Sequence, residues 1–115
     1  MGISSGGMTL LHMATSQPKR IDSMVLISAT THFTDQARAI IRGASFGTMP
    51  QQVQEMYREC AKRDDEQIRQ LIAQFNALAE NYDDMNFTAQ SLSTITARTL
   101  IAHGDCDRFF LLKFL

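Results

Sequence analysis

Two short strings in the chain combine residue types that can do chemistry. Near one end it reads Gly2-Ile3-Ser4-Ser5-Gly6-Gly7, and near the other His103-Gly104-Asp105-Cys106-Asp107. The first satisfies the spacing G-x-S-x-G, in which a serine rides a sharp, strained turn between a strand and a helix. Side chains at the flanking positions would collide with such a turn, so glycine at 2 and 6 is expected to remove the clash. The following helix would aim its N-terminus at the reaction centre, and the backbone N–H of Ser5 could face a developing oxyanion. The register selects Ser4, because a nucleophile at Ser5 would need glycine at position 3, where Ile3 stands.

These residues need elements to hold them, and the hydrophobic pattern supplies candidates. From Ser5 to Ser16 the residues Met8, Leu10, Leu11, Met13 and Ala14 cover most of a helical circumference, predicting a helix buried in a larger body. Pro18 ends it. Met24-Val25-Leu26-Ile27-Ser28-Ala29 is a short apolar run with β-branched members, the pattern of a strand buried on both faces of a parallel sheet. Thr99-Leu100-Ile101-Ala102-His103 repeats that pattern. Strands are expected near 23–29 and 98–103, as parallel neighbours with Ser4 and Asp107 at their C-terminal edge.

The segment between them changes period. A short helix carries Ala37, Ile40 and Ile41 and is stopped by Gly43. Pro50 opens a second, whose stripe is Val53, Met56, Tyr57, Cys60 and Ala61. Asp64 with Gln67 resembles a capping box before the run Ile68 to Ala79, and Ser91–Thr96 could form a short helix. Each helix is one-sided and needs a partner surface. Cys60, on an apolar stripe, reads as a core residue.

Composition excludes several function classes. At 115 residues the chain suits one domain, and 44% apolar with 20% charged residues argues against disorder. A net charge of −1 gives no footprint for nucleic acid and no polybasic membrane patch. No apolar run approaches the roughly 18 residues a membrane span needs. Cys60 and Cys106 match no metal-ligand spacing and read as reduced, intracellular thiols, with a single disulfide left open.

Taken together, the elbow, the apolar helix, the buried strand, the amphipathic insertion and the closing T-L-I-A-H-G-D-x-D resemble the α/β-hydrolase family over almost the entire chain. The resemblance implies an α/β fold, here partial, with parallel strands and a helical cap. It lacks the N-terminal strands, including the one that enters the elbow, and the C-terminal histidine segment. The layout is a single domain over 1–115: elbow, helix and strand in 1–30, cap in 31–90, acid-bearing strand and tail in 91–115. It further implies a serine hydrolase acting on a small ester-like substrate through an acyl-enzyme on Ser4. Ser5 supplies the oxyanion N–H, Asp107 is the triad acid, and no cofactor or metal takes part. Asp105 competes with Asp107 and reads as a turn former. His12 reads as packing and His103 as structural, while His32 either lines the pocket or lies in a solvated loop.

The family order is Ser, acid, His, yet no histidine follows Asp107. The alternative reading is therefore an inactive fragment that acts, if at all, by association. Its expected setting is cytoplasmic, with no nucleic-acid or membrane partner and with self-association through exposed apolar surfaces. Where the resemblance implies a proline-containing, helix-starting stretch after Phe110, the chain reads Leu111-Leu112-Lys113-Phe114-Leu115. A one-base deletion just after Phe110 accounts for such a tail, and Met1 reads as an internal methionine of a longer parent.

Overall fold

The computed structural model of the chain describes every residue except Arg63, Arg108 and residues 110–115, so the tail after Phe110, where a one-base deletion is expected, lies outside the described residues. The chain forms two compact units, one made of residues 1–34 and 85–115, the other of residues 35–84.

The first unit is a three-stranded parallel sheet, ordered β1 (Gly2–Ile3), β2 (Ser23–Ile27), β3 (Arg98–Ala102). The strand expected to be missing at the elbow is present as a two-residue stub, because Gly2 and Ile3 pair with Leu26 and Ile27. Helix α1 runs Ser5–Ser16, as its spacing predicts, and Pro18 opens a 3₁₀ turn beyond it. In β2 and β3 the register Met24↔Thr99 and Leu26↔Ile101 sets these four side chains on one face, toward α1. Leu11, Ala14, Met24, Leu26 and Ala29 form the core there, flanked by Phe87, Leu92 and Ile95. Burying each large aliphatic side chain of this cluster contributes about 1.5–3 kcal/mol.

Two burial expectations fail for one reason. β2 buries Met24 and Leu26 but only half-buries Val25 and Ile27, and every residue of β3 is exposed, Leu100 at 63%. Among the described residues, helices pack on only one face of the sheet. Likewise α1 buries Gly7, Met8, Leu11 and Ala14 while Met13 stays exposed, so its all-round apolar surface is used on one side. The short helix expected at Ser91–Thr96 is α5, Ala89–Leu92, and starts earlier. The Thr88 hydroxyl accepts the Ser91 N–H at 3.1 Å while Thr88 N–H donates to Ser91 Oγ at 2.9 Å, a reciprocal cap that fixes the start.

The chain leaves and re-enters this unit through a narrow neck. His32 and Asn86 form an antiparallel bridge, and the Phe87 N–H donates to Thr31 O at 3.1 Å.

The second unit is helical, with α2 (Asp35–Arg42), α3 (Gln51–Cys60) and α4 (Asp65–Ala77). Asp64 caps α4 by accepting the Glu66 N–H at 3.1 Å. Phe46, Ile68 and Ile72 form its core, with Tyr57 and Ala61 against them. Arg38 is buried and donates to three carbonyls, Ala79 at 2.8 Å, Asn81 at 3.0 Å and Leu78 at 3.4 Å, with Tyr82 stacked 3.8 Å from its guanidinium. Arg58 grips Asp65 through two bonds of 2.8 and 2.9 Å, which holds the Asp65 carboxyl below its usual range. Cys60, expected in a core, is exposed: α3 packs through Tyr57 and Ala61, which leaves Met56 and Cys60 facing solvent. Both cysteines are free thiols.

Candidate active site

Ser4 occupies the one-residue joint between β1 and α1, with φ 51° and ψ −121°. A serine in this region of backbone space is strained, and it persists because its neighbours over-determine it. Its N–H donates to Ile27 O at 2.8 Å, extending the sheet, while its carbonyl accepts from Gly7 at 2.9 Å and Met8 at 3.1 Å, starting the helix. The turn is thus pinned from both sides. The side chain is exposed and makes no hydrogen bond among the described residues.

The glycines around it divide their work differently from the sequence expectation. A Cβ on Gly2 would drive into the backbone of Gly6 and come within 2.6 Å of Gly7 N. A Cβ on Gly6 would meet nothing within 4 Å, whereas one on Gly7 would stand 2.7 Å from Ala29 Cβ and 3.2 Å from Gly2 O. Position 7, outside the G-x-S-x-G spacing, is therefore the second constrained glycine. It lets α1 lie directly on the end of the sheet.

Ser5 opens α1. With Gly7 and Met8 committed to Ser4 O, the N–H groups of Ser5 and Gly6 have no acceptor among the described residues and stand at the positive end of a helix of 12 residues. Beside the elbow, β2 is followed by a second left-handed residue, Ser28 at φ 46°, whose N–H donates to Ala102 O at 3.0 Å. The ladder therefore continues past the strands at the C-terminal edge, from Ser4 through β2 to the end of β3.

Asp107 follows β3 at that same edge. Two strand spacings, about 9–10 Å, separate the β1 and β3 ends. The Asp107 carboxylate is mostly buried: Oδ1 accepts the Phe109 N–H at 2.8 Å and Oδ2 lies 3.6 Å from His103 Nε2. Asp107 N–H also closes a turn on Gly104 O at 3.2 Å, and Asp105 is exposed within that turn. The His103 side chain is 2% exposed, in keeping with a structural role. His12 packs its ring 4.7 Å from Phe87. His32 is half-buried in the neck, its carbonyl accepting from Thr30 Oγ1 at 2.8 Å. Among the described residues no three His, Cys, Asp or Glu side chains gather as a metal site would require.

A strained serine between a strand and a helix, at the C-terminal edge of a parallel sheet, is a family-level signature, and comparison with protein families agrees. Residues 1–98 match the alpha/beta hydrolase fold family. The chain belongs to the α/β-hydrolase family. The match takes in the elbow and the helical unit and ends where β3 begins, so Asp107 lies beyond it. No curated protein and no solved structure matches the chain. Within the α/β-hydrolase framework, sequence reasoning missed Gly7 and Ser28. Gly7 was visible as an extra glycine beside the motif; Ser28 carried no signal, since nothing in its residue type announces a positive φ.

Proposed function

We propose that the chain carries the nucleophile of a serine hydrolase for small ester-like substrates, with Ser4 as the attacking residue. The observation that carries this reading is the left-handed Ser4, exposed at a turn that glycine at positions 2 and 7 permits. Ser4 Oγ would add to an ester carbonyl while a base takes its proton. The oxyanion would accept from the Ser5 N–H, and expulsion of the alcohol, protonated by that base, would leave an acyl-Ser4 that water then hydrolyses. Asp107 would orient the base. Two hydrogen bonds of about 3 Å with a ring between them fit the two-strand gap from Ser4 to the Asp107 loop.

Among the described residues none of His12, His32 and His103 hydrogen-bonds to Ser4. The 115-residue chain should therefore turn over esters slowly, since loss of one triad member removes most of the rate. The test is acylation by a p-nitrophenyl ester with and without added imidazole as a diffusible base. Imidazole should accelerate acylation of the wild type and leave Ser4→Ala unaffected; equal acceleration of both would refute the assignment. Rapid Ser4-dependent turnover without imidazole would assign the base to His32 or to a second chain. The second reading, an inactive fragment that works by association, is favoured by the uncovered β3, where Leu100 and Ile101 are 63% and 52% exposed. The free thiols suit a cytoplasmic setting.

A further inference from the structure

Two described non-glycine residues have a left-handed backbone, Ser4 at φ 51° and Ser28 at φ 46°, and they are neighbours in space. The register Ile3↔Ile27 places their turns side by side after β1 and β2, about 4.8 Å apart, at the C-terminal edge of the sheet. β2 is the central strand and is paired on both sides, so Ser28 sits within the sheet and not at its border. Strained residues persist where their surroundings over-determine them, and they concentrate at functional sites.

Two observations tie the Ser28 turn to the elbow. The first is a relay through one peptide unit. The Ile27 carbonyl accepts the Ser4 N–H at 2.8 Å, and the N–H of the same peptide, that of Ser28, donates to Ala102 O at 3.0 Å. That peptide joins the Ser4 turn to the end of β3, and hydrogen bonds in such a chain polarise one another. The second is a change of face. Alternate residues of a strand share a face, yet Leu26 and Ala29, three apart, both pack in the cluster with Leu11 and Ala14. The left-handed residue between them shifts the alternation by one position. Ala29 is thereby carried to Gly7, where its Cβ stands 2.7 Å from the point that a Gly7 Cβ would occupy.

We propose that Ser28 is a positioning residue for Ser4. Its turn fixes the peptide that receives the Ser4 N–H and sets Ala29 against the first turn of α1, so the elbow is held both at the serine and three residues beyond it. The main-chain conformation of Ser28 is what acts, and its hydroxyl is dispensable. Displacing an attacking atom by about 1 Å costs up to about 100-fold in rate, so relaxation of the Ser28 turn is felt at Ser4. The kinetic consequence rests on Ser4 being the nucleophile; the effect on the geometry of the Ser4 turn does not.

Two substitutions separate conformation from hydroxyl. Ser28→Gly removes the hydroxyl and favours a φ of 46°, whereas Ser28→Thr keeps the hydroxyl but is β-branched and disfavours it. Imidazole-assisted acylation by a p-nitrophenyl ester should stay within about twofold of wild type in Ser28→Gly and fall by about tenfold or more in Ser28→Thr. Amide hydrogen exchange should divide the variants in the same way. In Ser28→Thr the Ser4 N–H should lose about tenfold more protection than the Arg98 N–H, which bonds Asp22 O at the far end of the β2–β3 ladder. Met24→Ala, which weakens the same core, should lower both protections alike and leave acylation by the folded protein unchanged. If Ser28→Thr does not fold, Ala29→Gly, which leaves residue 28 untouched, should still lower Ser4 protection and acylation. Acylation of Ser4→Ala at the wild-type rate would end the nucleophile reading and leave hydrogen exchange to decide this one. A loss in Ser28→Gly as large as that in Ser28→Thr, a Ser28→Thr or Ala29→Gly protein with wild-type Ser4 protection, or Ser4 and Arg98 protections falling together in Ser28→Thr would overturn the inference.

Discussion

Replacing the three elbow glycines one at a time with alanine separates the motif from the structure. On spacing alone, positions 2 and 6 should be intolerant and position 7 free. The coordinates reverse the last two. Gly6→Ala meets nothing within 4 Å at a helical position, so it should stabilise by about 0.4–1 kcal/mol through unfolded-chain entropy and helix propensity. Gly7→Ala gains the same helical term but brings its methyl to 2.7 Å from Ala29 Cβ, an overpacking cost of about 1–3 kcal/mol, for a net loss of about 1–2 kcal/mol. Gly2→Ala collides with backbone at Gly6 and Gly7, which cannot move without undoing the Ser4 turn, and should cost more than about 3 kcal/mol or prevent folding. Urea unfolding followed by circular dichroism measures all three. A further variant sharpens the mechanism: Ala29→Gly removes the 2.7 Å contact, leaving only Gly2 O at 3.2 Å, so it should recover most of the Gly7→Ala loss. If Gly6→Ala is as damaging as Gly2→Ala, or if Ala29→Gly fails to rescue, the contact reasoning is wrong.

Other expectations follow from features outside the elbow. Arg38→Met strips three carbonyls of a buried donor and should destabilise the helical unit by about 2–4 kcal/mol, read as a lower urea midpoint for that unit in hydrogen exchange. Because Arg58 depresses the Asp65 carboxyl, this pair stabilises above the ordinary carboxylate range and its contribution is lost as pH falls below about 4. Asp65→Asn should therefore flatten the acid limb of the stability profile and leave its shape above pH 5 unchanged. Cys60 and Cys106 should both react in the native state with a thiol-specific chromogenic disulfide; protection of Cys60 until denaturation would restore the core position that its helical stripe suggests.

Much of this architecture was legible because each signal was local. The helix Ser5–Ser16, the strand at Met24 and the strand at Thr99 follow from apolar runs and from Pro18, and the elbow follows from glycines within six residues of the start. What escaped depends on partners distant in sequence. Gly7 is constrained by Ala29, which no spacing rule connects to it. Cys60 belongs to an amphipathic stripe, but a stripe tells only that a surface is apolar, and whether α3 covers it depends on packing against Phe46 and Ile68. The expectation that both strands were buried on two faces failed similarly: Val-, Leu- and Ile-rich runs report what a strand could bury, and the described residues bring helices to one side. Asp107 was legible as a residue that follows β3 at the C-terminal edge of the sheet. Its hydrogen bond to Phe109 and its approach to His103 were not.

The neck at His32 and Asn86 changes how the helical unit can vary. When the two ends of an insertion are already held together by the host, the entropy of closing the intervening loop rises only as the logarithm of its length. The sheet-bearing unit therefore places little thermodynamic restriction on what lies between Asp35 and Asp84, whether longer, shorter or a different set of helices. A short glycine-rich tether joining Thr34 to Met85 should leave the three-stranded sheet with its ladder intact. In evolutionary terms the bridge is a socket: the helices that plug into it could be exchanged while the strained serine turn is inherited unchanged.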